Sequence, residues 1–203
     1  MKKIILIILP LIFLSSCLVV KYDKKELEAP KKIELSPKPQ ITMSDQVIRS
    51  DFGDMIAFLP EDWFFVNLED SRENVFSTGV NPDYSLSLVF DELTKTDDLK
   101  RVIKNKNYTE LGKISLDDQK NRSKAKLELV NIFKEINIGE LSFMTYYTTT
   151  TSGALISRSA VFITDFGNCY RVSLIPMDIL GKPIPSNDQL DIIFESILTT
   201  VKY

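Results

Sequence analysis

The sequence contains no histidine. That absence excludes Ser-His-Asp and Cys-His nucleophile systems, HExxH zinc sites and histidine general bases. Cysteine occurs twice, at Cys17 and Cys169, so no disulfide framework carries the fold and stability must come from a core. Glycine is scarce, and no two of the seven lie close enough in sequence to cradle a phosphate. A basic excess is missing too. Against 25 Lys and Arg stand 28 Asp and Glu, a net charge of -3 that argues against a nucleic-acid partner. No apolar run is long enough to span a bilayer as a helix, because Ile4 to Leu14 is broken by Pro10 and a span needs about 20 residues. What is present is a globular composition, 44% hydrophobic and 26% charged over 203 residues, enough for one domain with a real core.

The N-terminus carries the most specific signal. Met1-Lys2-Lys3 is a positive n-region, Ile4 to Leu14 a short apolar h-region, and Leu14-Ser15-Ser16-Cys17 follows at once. This order makes an export signal. The Leu-Ser-Ser-Cys ending resembles the bacterial lipobox read by lipoprotein signal peptidase. The resemblance implies a signal peptide over 1–16 and a diacylglyceryl thioether on Cys17, which becomes the mature, usually N-acylated, terminus. Membrane lipid is then the first expected partner, since two or more acyl chains give stable residence where one is marginal. By the same resemblance Leu18, in the place where Asp marks inner-membrane retention in enterobacterial lipoproteins, points to the outer membrane or the periplasmic face of the envelope. Cleavage removes Lys2 and Lys3 and no acid, taking the net charge from -3 to -5.

Residues 17–45 read as a lipidated terminus and flexible linker. Lys21, Lys24, Lys25, Lys31, Lys32 and Lys38 mix with Asp23, Glu26, Glu28, Glu34 and Asp45, and Pro30, Pro37 and Pro39 break any apolar period. The interspersed acids weaken any lysine attraction to anionic headgroups, leaving a plain spacer.

Residues 46–203 read as one α+β domain. Val47–Ser50 and Met55–Leu59 flank Asp51-Phe52-Gly53-Asp54 as a hairpin, with Gly53 free to take positive φ. Asn74–Gly79 and Tyr84–Phe90 read as strands around Asn81-Pro82-Asp83. Thr96 caps a helix from Asp97 to about Asn105. A second helix is expected from Ser115 to about Phe133, on the stripe Ala125, Leu129, Ile132 and Ile136. Strands over 140–150, 154–164 and 168–175 follow, with Gly139, Gly153, Gly167 and Gly181 as turns of an antiparallel meander. Ser186 and Gln189 open a final helix as a capping box, with Leu190, Ile193, Phe194, Ile197, Leu198 and Val201 on its apolar face.

The run Ile56-Ala57-Phe58-Leu59-Pro60-Glu61-Asp62-Trp63 and the closing Ile193-Phe194-Glu195-Ser196-Ile197, with Tyr170-Arg171-Val172 between them, resemble the PsbP-like family. The resemblance implies an α/β/α sandwich, an antiparallel sheet covered by helices. Pro60 would end a strand and Trp63 would fill the core. Family members are mostly non-enzymatic accessory or binding proteins, and no catalytic residue carries over.

Other chemical signals have plain readings. Ser123-Lys124-Ala125-Lys126 matches S-x-x-K, but the S-D-N and K-T-G companions of that fold are missing. Asp97-Asp98 and Asp117-Asp118 read as acids at helix starts, and neither pair has EF-hand spacing. Asp188, Asp191 and Glu195 read as a solvated helix face. Cys169 reads as an inert buried thiol on a strand. Tyr146 and Tyr147 sit in a β-branched strand and would contact a partner or glycan only if exposed. No catalytic, metal or cofactor residue is expected. The sequence therefore supports a membrane-anchored cell-envelope lipoprotein with a non-catalytic binding or accessory role, with an envelope protein as partner. The alternative is a cell-envelope enzyme using carboxylates on a glycan or peptide.

Overall fold

The computed structural model describes residues 37–66, 74–123, 125–150 and 155–203. Cys17, the signal segment and most of the expected linker lie outside the described residues, as do Lys124 and Gly153.

Two strands, β1 (Met43–Arg49) and β2 (Ile56–Pro60), pair antiparallel as a ribbon. The expected hairpin is present, and Gly53 takes φ 71° at its turn, a left-handed conformation that a Cβ would strain. The first strand begins at Met43, inside the segment read as linker. Eight strands make the main sheet: β3 (Phe64–Phe65), β4 (Val75–Val80), β5 (Leu86–Glu92), β6 (Leu127–Leu129), β7 (Lys134–Ile138), β8 (Leu141–Thr150), β9 (Ile156–Ile163) and β10 (Cys169–Pro176). Their order is β3-β4-β5-β10-β9-β8-β6, with β7 sharing the outer edge of β8, and every pairing is antiparallel. Two meanders thus meet where β5 pairs with β10.

Three helices are present among the described residues: α1 (Asp97–Asn105), α2 (Tyr108–Arg122) and α3 (Asn187–Thr200). Thr96 and Ser186 cap α1 and α3 as expected, and Ser186 with Gln189 closes the full capping box. Helix α3 and the ribbon cover one face of the sheet. There Leu59, Phe90, Phe143, Phe162, Tyr170, Phe194 and Ile197 form a sealed apolar core, and Trp63 is buried with them. Helices α1 and α2 cover part of the other face through Leu99, Val102, Leu111 and Leu116 against Met144, Val161 and Cys169. The result is an α+β, α/β/α sandwich. Gly112 lets α2 approach β8 closely, since a Cβ there would sit 2.7 Å from Phe133 and 2.8 Å from Met144.

The second helix differs from expectation. It starts at Tyr108, where Asn107 accepts from the Glu110 N–H, and ends at Arg122. Residues 127–129 and 134–138 are strands β6 and β7, joined by a short non-helical link. The stripe Ala125, Leu129, Ile132 and Ile136 matched a helical period by coincidence. Ala125 and Leu129 are exposed, and Ile132 is 83% exposed. The period that governs is 2, with Ile136 and Ile138 turned inward and Glu135 and Asn137 outward. Asp117-Asp118 therefore lies in the last turns of α2, not at a helix start.

Candidate functional site: a half-covered sheet face

Helix α2 ends before it has crossed the sheet. Beyond its last turn the sheet face carries Thr78, Val89, Ser173, Ile175, Ser157 and Thr148 with no described helix above them, and a cleft of about 550 Å³ opens there. The strand register explains the row: Thr78 faces Val89, Val89 faces Ser173, and Ser157 faces Thr148 on paired strands. Volumes of a few hundred cubic ångströms are typical of small-ligand sites.

Four charges close one end. Arg171 is buried and binds Asp91 at 2.5 Å, Asp118 at 3.2 Å and the Ser115 carbonyl at 2.7 Å. Arg122 binds Asp118 at 2.6 Å and reaches Asp91 at 3.8 Å. Burial raises the Asp91 carboxyl above its usual range, while Arg171 and then Arg122 pull it back. For Arg171, burial disfavours the charge, but Asp91 outweighs it and keeps the guanidinium protonated. Tyr146 is fully buried behind this cluster, with its hydroxyl 2.8 Å from Ser115 Oγ and donating to Gln119 at 3.3 Å. Three buried polar atoms of cleft-lining residues have no hydrogen-bond partner among the described residues: Thr78 Oγ1, Thr148 Oγ1 and Asp91 Oδ1. Unpartnered buried polar atoms are uncommon in folded proteins, which makes this cleft the candidate site.

Sequence reasoning missed this group. Asp91 and Arg171 lie 80 residues apart and meet only through the β5–β10 register. The available signal was a lone arginine in the alternating run 169–175, on the same strand face as Cys169 and Ser173. Cys169 itself is a free buried thiol, pushed up to about 12 by burial. Ser123 caps the end of α2 at the cleft rim instead of sitting inside a helix, and Lys126 pairs with Glu128 at 3.4 Å.

The opposite face holds a second buried arginine. Arg158, 1% exposed, donates to Asp191, to the carbonyls of Ile156 and Asn187, and lies 5.1 Å from the Tyr147 ring centre. Asp191 also accepts from Tyr147 at 3.0 Å, so it anchors α3 to β8 and β9 rather than belonging to a solvated face. Tyr146 and Tyr147 are accordingly not an exposed pair. Among the described residues no helix is long and apolar enough to cross a membrane, and no cluster of His, Cys, Asp and Glu could hold a metal.

No family model matches the chain, and no curated protein matches it. Solved structures do. The cyanobacterial PsbP protein (CyanoP) of Synechocystis superposes over 86% of this chain and 99% of its own, with a TM-score of 0.51 at 11% identity. LpqN of Mycobacterium tuberculosis, described as involved in cell envelope biogenesis, covers 78% of this chain and 87% of its own, with a TM-score of 0.39 at 9% identity. The domain has the PsbP-like fold.

Proposed function

We propose that the chain is a lipid-anchored protein of the bacterial cell envelope whose domain binds a partner without transforming it. The observation that favours binding over catalysis is the charge arrangement in the cleft. Both arginines there are neutralised by Asp91 and Asp118, so none of the four is placed to accept or deliver a proton freely. What the cleft offers is shape, aliphatic side chains and hydroxyls, with Asp178 as the lining charge outside the ion-paired group. The anchor rests on the lipobox-like segment ending at Cys17.

Two experiments test the two halves. Growth with a clickable palmitate analogue should label the wild type and leave Cys17→Ala unlabelled; label on both would remove the anchor. Ser157→Trp fills the cleft. Purification of the native protein in mild detergent should recover an envelope protein that is lost from this variant while the melting temperature holds. A partner retained by Ser157→Trp would sink the cleft as the binding site.

A second reading, an enzyme using carboxylates on an envelope glycan or peptide, draws on Asp91, whose carboxyl is raised by burial and whose Oδ1 lacks a partner. Turnover of an envelope glycan or peptide that Asp91→Asn abolishes would favour it.

A further inference from the structure

We infer that the end of the domain carrying Phe52 and Phe166 dips into the lipid interface, on a zwitterionic rather than an anionic surface. These two rings are 63% and 81% exposed, and each sits at the tip of a tight turn beside a left-handed glycine, Gly53 at φ 71° and Gly167 at φ 76°. The turns are brought side by side by one carboxylate. Asp54, in the ribbon turn, accepts from Ser50 at 2.8 Å and Tyr170 at 2.6 Å on one oxygen, and from Thr164 at 2.7 Å and Asn168 at 2.8 Å on the other. Thr164 and Asn168 flank the Phe166 turn, so the clamp presents both rings from one rigid end. Lys95 braces the same end, donating to Asn168 at 2.6 Å and lying 5.1 Å from the centre of the Phe52 ring.

The position of the tether selects lipid as the occupant. Pro37 and Lys38, the first described residues, border one hollow with Gly139 and Thr199, and the Gln40 N–H donates to Ser196 at 3.0 Å. The Gly139 turn precedes β8, and Met144 of β8 faces Val161 of β9, so Gly139 lies at the same end of the sheet as the Phe166 turn. The first described residues thus lie by the Gly139 corner, at the end of the sheet that carries the Phe166 turn. Nineteen residues separate Cys17 from Pro37, a short tether between this end and whatever surface the acyl chains enter. Local charge selects the headgroup: Asp51 and Asp165 directly precede the two rings, while Lys95 is matched by Glu92 at 3.9 Å, leaving an acidic rim that anionic lipid would repel. Aromatic side chains at the boundary of headgroups and acyl chains are a common mode of interfacial binding. The inference rests on the anchor reading.

The test uses the full chain with its acyl groups in phosphatidylcholine vesicles brominated on the acyl chains. F52W and F166W place an indole at each tip; Trp63, buried in the core, serves as the internal reference. The variants should melt like the wild type, and their added emission should shift to the blue and fall about twofold in brominated vesicles, an interfacial depth of quenching. The emission of the wild type should not change. Protein that floats with the vesicles while the added indoles stay unquenched overturns the inference and leaves the anchor standing. Added indoles that are blue-shifted but unquenched assign the patch to a protein surface instead and likewise overturn it. Protein that does not float removes the anchor and the inference together.

Discussion

The two faces of the main sheet are built from the same strands and do opposite things. On the α3 face, Leu88, Phe90, Phe162, Val172 and Leu174 close against a helix and a ribbon, and every guanidinium nitrogen of the buried Arg158 donates a hydrogen bond. On the α2 face, the same strands turn Val89, Asp91, Arg171 and Ser173 toward a helix that stops short. One side is continuous apolar burial. The other joins a small apolar cluster to an ion-paired group and an open cleft. A sheet whose strands are locked by one well-packed face is free to carry polar groups on the other, because the first face holds the register.

That contrast is testable at several strengths. Phe90→Ala, inside the sealed core, should cost about 3–5 kcal/mol in denaturant unfolding. Loss of only a few tenths would mean that the α3 face is not the stabilising one. Arg171→Ala should cost about 3–5 kcal/mol, since buried Asp91 loses its hydrogen-bonded partner and keeps only Arg122 at 3.8 Å. The double change Arg171→Met with Asp91→Leu should recover most of it, and failure to recover would assign the loss to packing. Gly112→Ala should cost about 1–3 kcal/mol by pushing α2 off Phe133 and Met144; an unchanged midpoint would show that α2 can shift freely.

The clamp at Asp54 gives a pH signature. Burial alone would raise this carboxyl, but hydrogen bonds from Tyr170, Thr164, Asn168 and Ser50 outweigh it and lower it from the ordinary 3.8 to about 2. A carboxyl depressed in the folded state contributes stability that is present above its ordinary value and is lost as pH falls through the folded one. Wild type should therefore lose stability between about pH 4 and pH 2 more steeply than Asp54→Asn, compared by denaturant midpoints across that range. Parallel curves would remove Asp54 as the source. The smallest effect is expected at Thr148→Val. The hydroxyl has no partner among the described residues, so its removal should leave stability unchanged or raise it by up to about 1 kcal/mol. A clear loss would show that the cleft hydroxyls belong to the scaffold.

Much of the fold was legible because its signals are local. Thr96 and Ser186 cap their helices within three residues of the groups they bind, and the strands flanking Gly167 alternate over neighbouring positions. The second helix was misread where two local signals competed: a four-residue spacing of apolar side chains suggested helix through 133, while the Asn107 cap and the alternation of Ile136 and Ile138 pointed to the true boundaries. The role of Asp191 was invisible because its partner, Arg158, lies 33 residues away.

Unaided, the chain's letters determined that histidine chemistry is excluded, where the Thr96 and Ser186 caps start their helices, and where the strands flanking Gly53 and Gly167 lie. Folding alone decided which charges meet, that α2 leaves part of the sheet uncovered, and that Asp54 clamps two phenylalanine turns side by side. The reason is physical. Capping and alternation act between neighbours along the chain, whereas a cleft or a buried ion pair exists only once strand register has brought distant residues to one face.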